Sequence, residues 1–232
     1  MSATAVRARV VELAGPAGAG KSTLLAALLA RDPALRPRPA RRGWRAALLA
    51  LAHAVGLAPL AASLARRVGP GAARETLRYL LRLRTYHALT LRDARRTRGA
   101  IVLDEGPVFT LARLAVFAAG GAAARPARGL DAYARAWRAR WARTLDLVVW
   151  LDAPDAVLVG RIRGRAKAHR VQGAGDAAAA DFLGRYRAAY ARELDALSAA
   201  GVRVLSLDTQ HETPEAAAER VLAALHGGAD AR

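Results

Sequence analysis

Residues Gly15 to Ser22 read G-P-A-G-A-G-K-S, which matches G-x-x-x-x-G-K-[ST]. The glycines let the main chain curl so that successive N–H groups point inward and cradle phosphate oxygens. A helix opening at this point lends its positive end to the same oxygens. Lys21 places a compact ammonium where the outer phosphates of a triphosphate lie, and the Ser22 hydroxyl can hold Mg²⁺. The expected nucleotide-binding set is therefore Gly15, Pro16, Ala17, Gly18, Ala19, Gly20, Lys21, Ser22 and Thr23.

Two further groups could act on such a phosphate chain. Asp104 and Glu105 follow the apolar run Ile101 to Leu103. An acid at a strand end can organise Mg²⁺ through water or accept the proton of an attacking hydroxyl, and the sequence leaves that division of labour open. Farther on, Arg161, Arg163, Arg165, Lys167 and Arg170 are crowded together, with Gly173 to Gly175 behind them. Arginines closing over a transferring phosphoryl group stabilise its charge, and flanking glycines let such a lid move. In a chain this rich in arginine, a solvated helix face is the rival reading.

These residues need a scaffold, and the hydrophobic pattern supplies one. Val6 to Leu13, Ile101 to Asp104, Leu147 to Leu151 and Val202 to Leu207 read as strands. Helices are expected over Lys21 to Ala30, Ala72 to Arg98, Val108 to Ala119, Leu130 to Arg143, Pro154 to Arg165, Asp181 to Ala199 and Pro214 to Leu225. Arg31 to Gly43 reads as an irregular connection or weak edge strand, and Lys167 to Ala180 as a loop. Apolar strands alternating with helices predict a parallel, doubly wound sheet covered on both faces, a three-layer α/β/α sandwich in one domain over residues 1–232. Residues 31–71 form an atypical helical insertion and 161–180 the lid.

The 232 residues include 37 Lys and Arg against 19 Asp and Glu, a formal charge of +18, and only Lys21 and Lys167 are lysines. Such charge attracts anions, but no aromatic residues are interleaved as a single-stranded nucleic-acid binder requires, so no specific nucleic-acid partner is expected. The absence of cysteine excludes disulfides and thiolate metal sites. Met1 to Val10 lacks a signal-peptide core, which points to a cytoplasmic chain. Ala46 to Ala65 carries no formal charge over a bilayer-sized length, with Arg45, Arg66 and Arg67 at its ends. Gly56 and Pro59 interrupt it, so two short buried helices are expected, with peripheral membrane contact the lesser expectation.

The chain resembles the thymidylate kinase branch of P-loop kinases from Val10 to about Leu225, with an interruption between Arg31 and Ala72. The resemblance rests on VELAGPAGAGKSTLL, LRLRTYHA, IVLDEG, DLVVWLDAPDAVLVGRIRGRAKAHR, DFLGRYRAAY and VRVLSLD, in that order. It implies ATP and Mg²⁺ as cofactors and transfer of the γ-phosphoryl group to a nucleotide, nucleoside or similar acceptor. It also implies that Arg84 grips the acceptor, that Arg161 and Arg165 act from the lid, and that Tyr186 and Tyr190 lie on the helix behind it. A homodimer is compatible with it. The chain departs from the family in three motifs, and Arg36 to Val68, the region that would shape the base pocket, has no clear counterpart in it. Asp-Arg-aromatic at the strand end is Asp104-Glu105-Gly106 here. The family's acid before the phosphate loop is Ala14, with Glu12 two residues earlier. The lid's Asp-Arg pair is His169-Arg170.

The expected activity is thus that of a small-molecule kinase. Lys21, Asp104, Glu105, Arg161 and Arg165 would be catalytic, Arg84, Glu105 and Arg170 would bind the acceptor, and Ser22 and Asp104 would hold the metal. A P-loop ATPase driving a partner or switch is the alternative.

Overall fold

The computed structural model describes residues 7–38, 44–117, 128–166, 169 and 171–227. Five strands form one parallel sheet: β1 (Arg9–Ala14), β2 (Leu35–Pro37), β3 (Ala100–Leu103), β4 (Leu147–Asp152) and β5 (Arg203–Asp208). Their order is β2-β3-β1-β4-β5. The central strands are apolar on both faces, with Val10, Val11, Leu13, Ile101, Val102, Val148 and Val149 all buried. A strand covered on both sides must read as a continuous hydrophobic run, which is why the sequence exposes it so clearly.

Helices α1 (Lys21–Arg31) and α8 (Pro214–His226) pack together on one face. The other face carries α3 (Ala58–Ala94), α4 (Pro107–Phe117), α5 (Arg128–Ala142) and α7 (Asp176–Ala199). Two more helices, α2 (Trp44–Val55) and α6 (Asp155–Arg163), pack on α3 and α7 respectively. This is the three-layer sandwich anticipated from the alternation of strands and helices. The chain leaves β1 toward β2 on one side and later returns to β4 on the other, so a crevice opens at the C-terminal edge above β1.

Several boundaries differ from expectation. The segment after α1 does hold an edge strand, β2, one of the two readings its sequence allowed. The run Asp176 to Ala180, read as loop because of its glycine neighbours, is the first turn of α7; consecutive alanines have the highest helix propensity. The long helix begins at Ala58 and ends at Ala94, bent at Gly69 ahead of Pro70. The alanine-leucine segment does break near Gly56, with its two arms bent by 63°. Its first arm is not buried: Trp44, Leu48, Leu51 and Val55 stand out from the surface. Leu57, Leu64, Ala73, Leu80, Leu114 and Leu130 instead form a small second core joining α3, α4 and α5. No single helix among the described residues is long and apolar enough to cross a membrane.

Candidate active site

The turn between β1 and α1 puts Gly15, Gly18 and Gly20 at positive φ. At Gly15 (φ 154°) any Cβ would sit on the Leu151 carbonyl of β4, so only glycine lets the loop lie this close to the sheet. No side chain caps the first turn of α1, which leaves its N–H groups to a ligand. The Lys21 ammonium donates to the carbonyls of Gly15 and Pro16, both at 2.7 Å. Burial lowers its pKa to about 8, opposed in part by the charge of Glu105.

Above this loop lies a cavity of about 1030 Å³. Its floor is formed by Gly15, Pro16, Ala17, Gly18, Gly20, Lys21, Ser22 and Thr23, while Ala19 is buried beneath it. One end is closed by Arg161 and the segment Thr209 to Pro214, which follows β5. Arg161 donates to the Thr209 hydroxyl at 3.0 Å and to the Thr209 carbonyl at 2.7 Å, and so ties α6 to that segment. Arg165 also lines the cavity, and its Nε is buried without a hydrogen-bond partner. Arg170 and Lys167 lie outside the described residues.

The opposite end is aromatic and charged. Tyr79, Phe109, Phe182 and Tyr186 surround Arg82, Glu105 and Arg113. Arg82 donates to the Glu105 carbonyl at 2.5 Å and to its carboxylate at 2.9 Å, with its guanidinium 5.1 Å from the Tyr86 ring centre. Arg113 donates to Glu75 at 2.7 Å and to the Tyr186 hydroxyl at 3.3 Å, and lies 4.7 Å from the centre of Tyr79. Neither arginine stood out in the sequence.

Arg84 does not line this cavity. It points under α2, donating to the His53 carbonyl at 3.5 Å and lying 5.8 Å from the centre of Trp137. Helical phase explains the exchange. Residues 79, 82 and 86 share a face, whereas 82 and 84 are separated by about 200° around the axis.

The two acids differ in their access to the cavity. Glu105 lines the cavity, whereas Asp104 does not. Arg38, just beyond β2, lies 3.3 Å from Asp104 and 3.5 Å from Glu105. Asp104 Oδ1 is buried and accepts no hydrogen bond. The Ser22 hydroxyl is exposed on the cavity floor, and hydroxyl and carboxylate oxygens of this kind suit a hard cation that keeps most of its waters. No cluster of three or more metal-binding side chains is present among the described residues, and a cation held largely by water and phosphate needs none.

Beneath the acids lies Glu12, fully buried in β1. Its two oxygens accept the N–H groups of Val108 and Phe109 at 2.9 and 3.0 Å, fastening the start of α4 to the central strand. A Cβ at Gly106 would approach this carboxyl to 2.6 Å, so the corner after Glu105 requires glycine. Burial pushes Glu12 up to about 8, outweighing the opposing pull of the backbone N–H groups and Arg82. The folded chain therefore keeps a proton that the unfolded chain releases near the ordinary value of 4.5. The stabilisation is full below that value and is lost as pH rises through about 8. Glu12→Gln is expected to remove this decline. It should also cost about 1–3 kcal/mol, because one N–H then faces an amide donor. Urea unfolding of both proteins on either side of the transition checks both effects.

A parallel sheet with a glycine loop after its first strand, an acidic strand end beside that loop and an arginine-bearing helix above it is a fold shared with solved nucleoside and nucleotide kinases. No family model matches the sequence, and no curated protein matches it. Solved structures do match. Deoxyadenosine kinase from M. mycoides with bound dATP superimposes with a TM-score of 0.56 at 15% identity, over 93% of this chain and 98% of that one. Thymidylate kinase from Candida albicans gives 0.55 at 11% identity, over 97% and 94%. At such identities the likeness establishes the fold.

Proposed function

We propose that the chain is an ATP-dependent kinase that phosphorylates a hydroxyl of an uncharged small molecule carrying a planar ring, of which a nucleoside is the simplest example. The observation behind this reading is one continuous cavity, with a phosphate-binding loop as its floor and the Glu105 carboxylate facing an aromatic compartment. In this reading the loop amides and Lys21 hold the triphosphate, while Arg161 and Arg165 lie over it. Ser22 and Asp104 would hold Mg²⁺, which neutralises phosphate charge when bound. The acceptor hydroxyl gives its proton to Glu105, its oxygen bonds to the γ-phosphorus, and the bond from that phosphorus to the β-phosphate oxygen breaks to release ADP. Arg82 keeps Glu105 in place throughout.

Charge pairing selects the class of acceptor. Thymidylate kinases act on a monophosphate, which needs an available cation. Here Arg82 is committed to Glu105 and Arg113 to Glu75, so the acceptor end is already neutralised. Tyr79, Phe109, Phe182 and Tyr186 give this end an aromatic lining.

ADP formation measured with ATP alone, then with nucleosides and with their monophosphates, tests the proposal. Turnover is expected to depend on acceptor and to favour nucleosides. Equally fast phosphate release without acceptor would replace the kinase with a hydrolase, and a preference for monophosphates would refute the neutral acceptor.

A further inference from the structure

Helix α2 carries a largely exposed apolar face that the site above does not use. Trp44, Leu48, Leu51 and Val55 recur at intervals of four, three and four, so they form one stripe along the helix. They are 68%, 55%, 63% and 69% exposed. The stripe continues into exposed Ala58, Pro59, Ala62 and Ala65 at the start of α3, past the 63° bend. An uncharged helix surface of this extent in a chain with 24% charged residues marks a binding face.

Charge surrounds this face on one side. A groove of about 710 Å³ runs beside it, lined by Ala54, Leu57 and Ala61 together with Arg74, Glu75 and Arg78. Glu75 is paired with Arg113. Among the described residues no ion pair joins Arg66, Arg74 or Arg78 to an acid, and all three are exposed. The apolar arms are thus bordered by cationic side chains within a chain of net charge +18.

We infer that this face docks reversibly on an anionic lipid bilayer, with the α2 stripe and the start of α3 entering the headgroup layer and Arg66, Arg74 and Arg78 meeting lipid phosphates. Two modest signals, apolar insertion and basic attraction, together give stable but reversible attachment. A bent pair of short arms suits a position in the interface. Charge argues against a second copy as the occupant: pairing two such faces would bring two sets of arginines together with only the already paired Glu75 to offset them. Nucleic acid would satisfy the arginines and leave the apolar stripe uncovered.

Flotation of the full chain with phosphatidylcholine vesicles, with and without phosphatidylserine, tests this. Binding is expected only with phosphatidylserine, and should weaken as salt is raised. Leu48→Glu with Leu51→Glu should reduce it by about tenfold or more, and each of Arg74→Gln and Arg78→Gln by about fivefold. Thermal unfolding and nucleotide binding of the Leu48→Glu/Leu51→Glu and Arg74→Gln variants should stay as in the parent, because these side chains line neither the core nor the cavity, whereas Arg78 lies over Tyr79 of the cavity wall and its variant is read by flotation alone. Equal binding to both vesicle types, no flotation, or flotation undiminished in the folded Leu48→Glu/Leu51→Glu variant would each overturn the inference. So would a dimer in sedimentation that this variant dissociates, since the face would then belong to a second copy.

Discussion

Lys21→Ala is expected to lower turnover by about three orders of magnitude while leaving the fold intact. Lys21 is half-buried and touches only carbonyls of its own loop, so its removal deletes no core contact. What disappears is the ammonium at the floor of the proposed phosphate cradle, which should matter most when charge moves toward the bridging oxygen. Lys21→Arg is not expected to rescue, because a planar fork is a poor substitute for a compact ammonium in a tight loop. The lowered pKa of about 8 adds a second signature. A bound polyphosphate favours the charged form, so nucleotide binding near pH 8 should draw in a proton. Titration calorimetry in buffers of different ionisation enthalpy would measure that uptake, and Lys21→Ala should abolish it. Turnover unchanged in a folded variant would refute the assignment of the phosphate loop.

Glu105→Gln is expected to reduce kcat by about 10²- to 10⁴-fold with little change in KM for ATP. The geometry makes this a clean test. A glutamine oxygen can still accept from Arg82, and the backbone carbonyl contact at 2.5 Å is untouched, so the corner keeps its shape while the proton acceptor and the charge facing Arg82 and Arg38 are lost. Asp104→Asn should behave differently, since Asp104 stands outside the cavity wall beside Arg38. Its expected effect is a higher Mg²⁺ requirement, with kcat recovering as the metal concentration is raised. Metal titrations of the two variants distinguish the roles. If Asp104→Asn lost kcat irrecoverably and Glu105→Gln recovered with metal, the assignments would be exchanged.

The sequence by itself determined the features whose causes are local. Gly15 to Ser22 form a tight turn because Gly15, Gly18 and Gly20 take up positive φ that other residues rarely adopt. The buried strands are apolar runs because both their faces are covered, and their alternation with helices sets the layer order. The tertiary structure decided which side chains meet. Arg82 enters the cavity in place of Arg84 because two residues along a helix reverse the direction of a side chain. Glu105 lines the cavity and Asp104 does not, although Arg38 from beyond β2 reaches both carboxylates, a meeting that only the pairing of β2 with β3 brings about. Arg113 and Phe109 reach the same compartment through the packing of α4 on α3. Leu48 and Leu51 read as core residues, yet they face outward, since hydrophobicity records what a side chain prefers and only the packing of the neighbouring elements determines whether anything covers it.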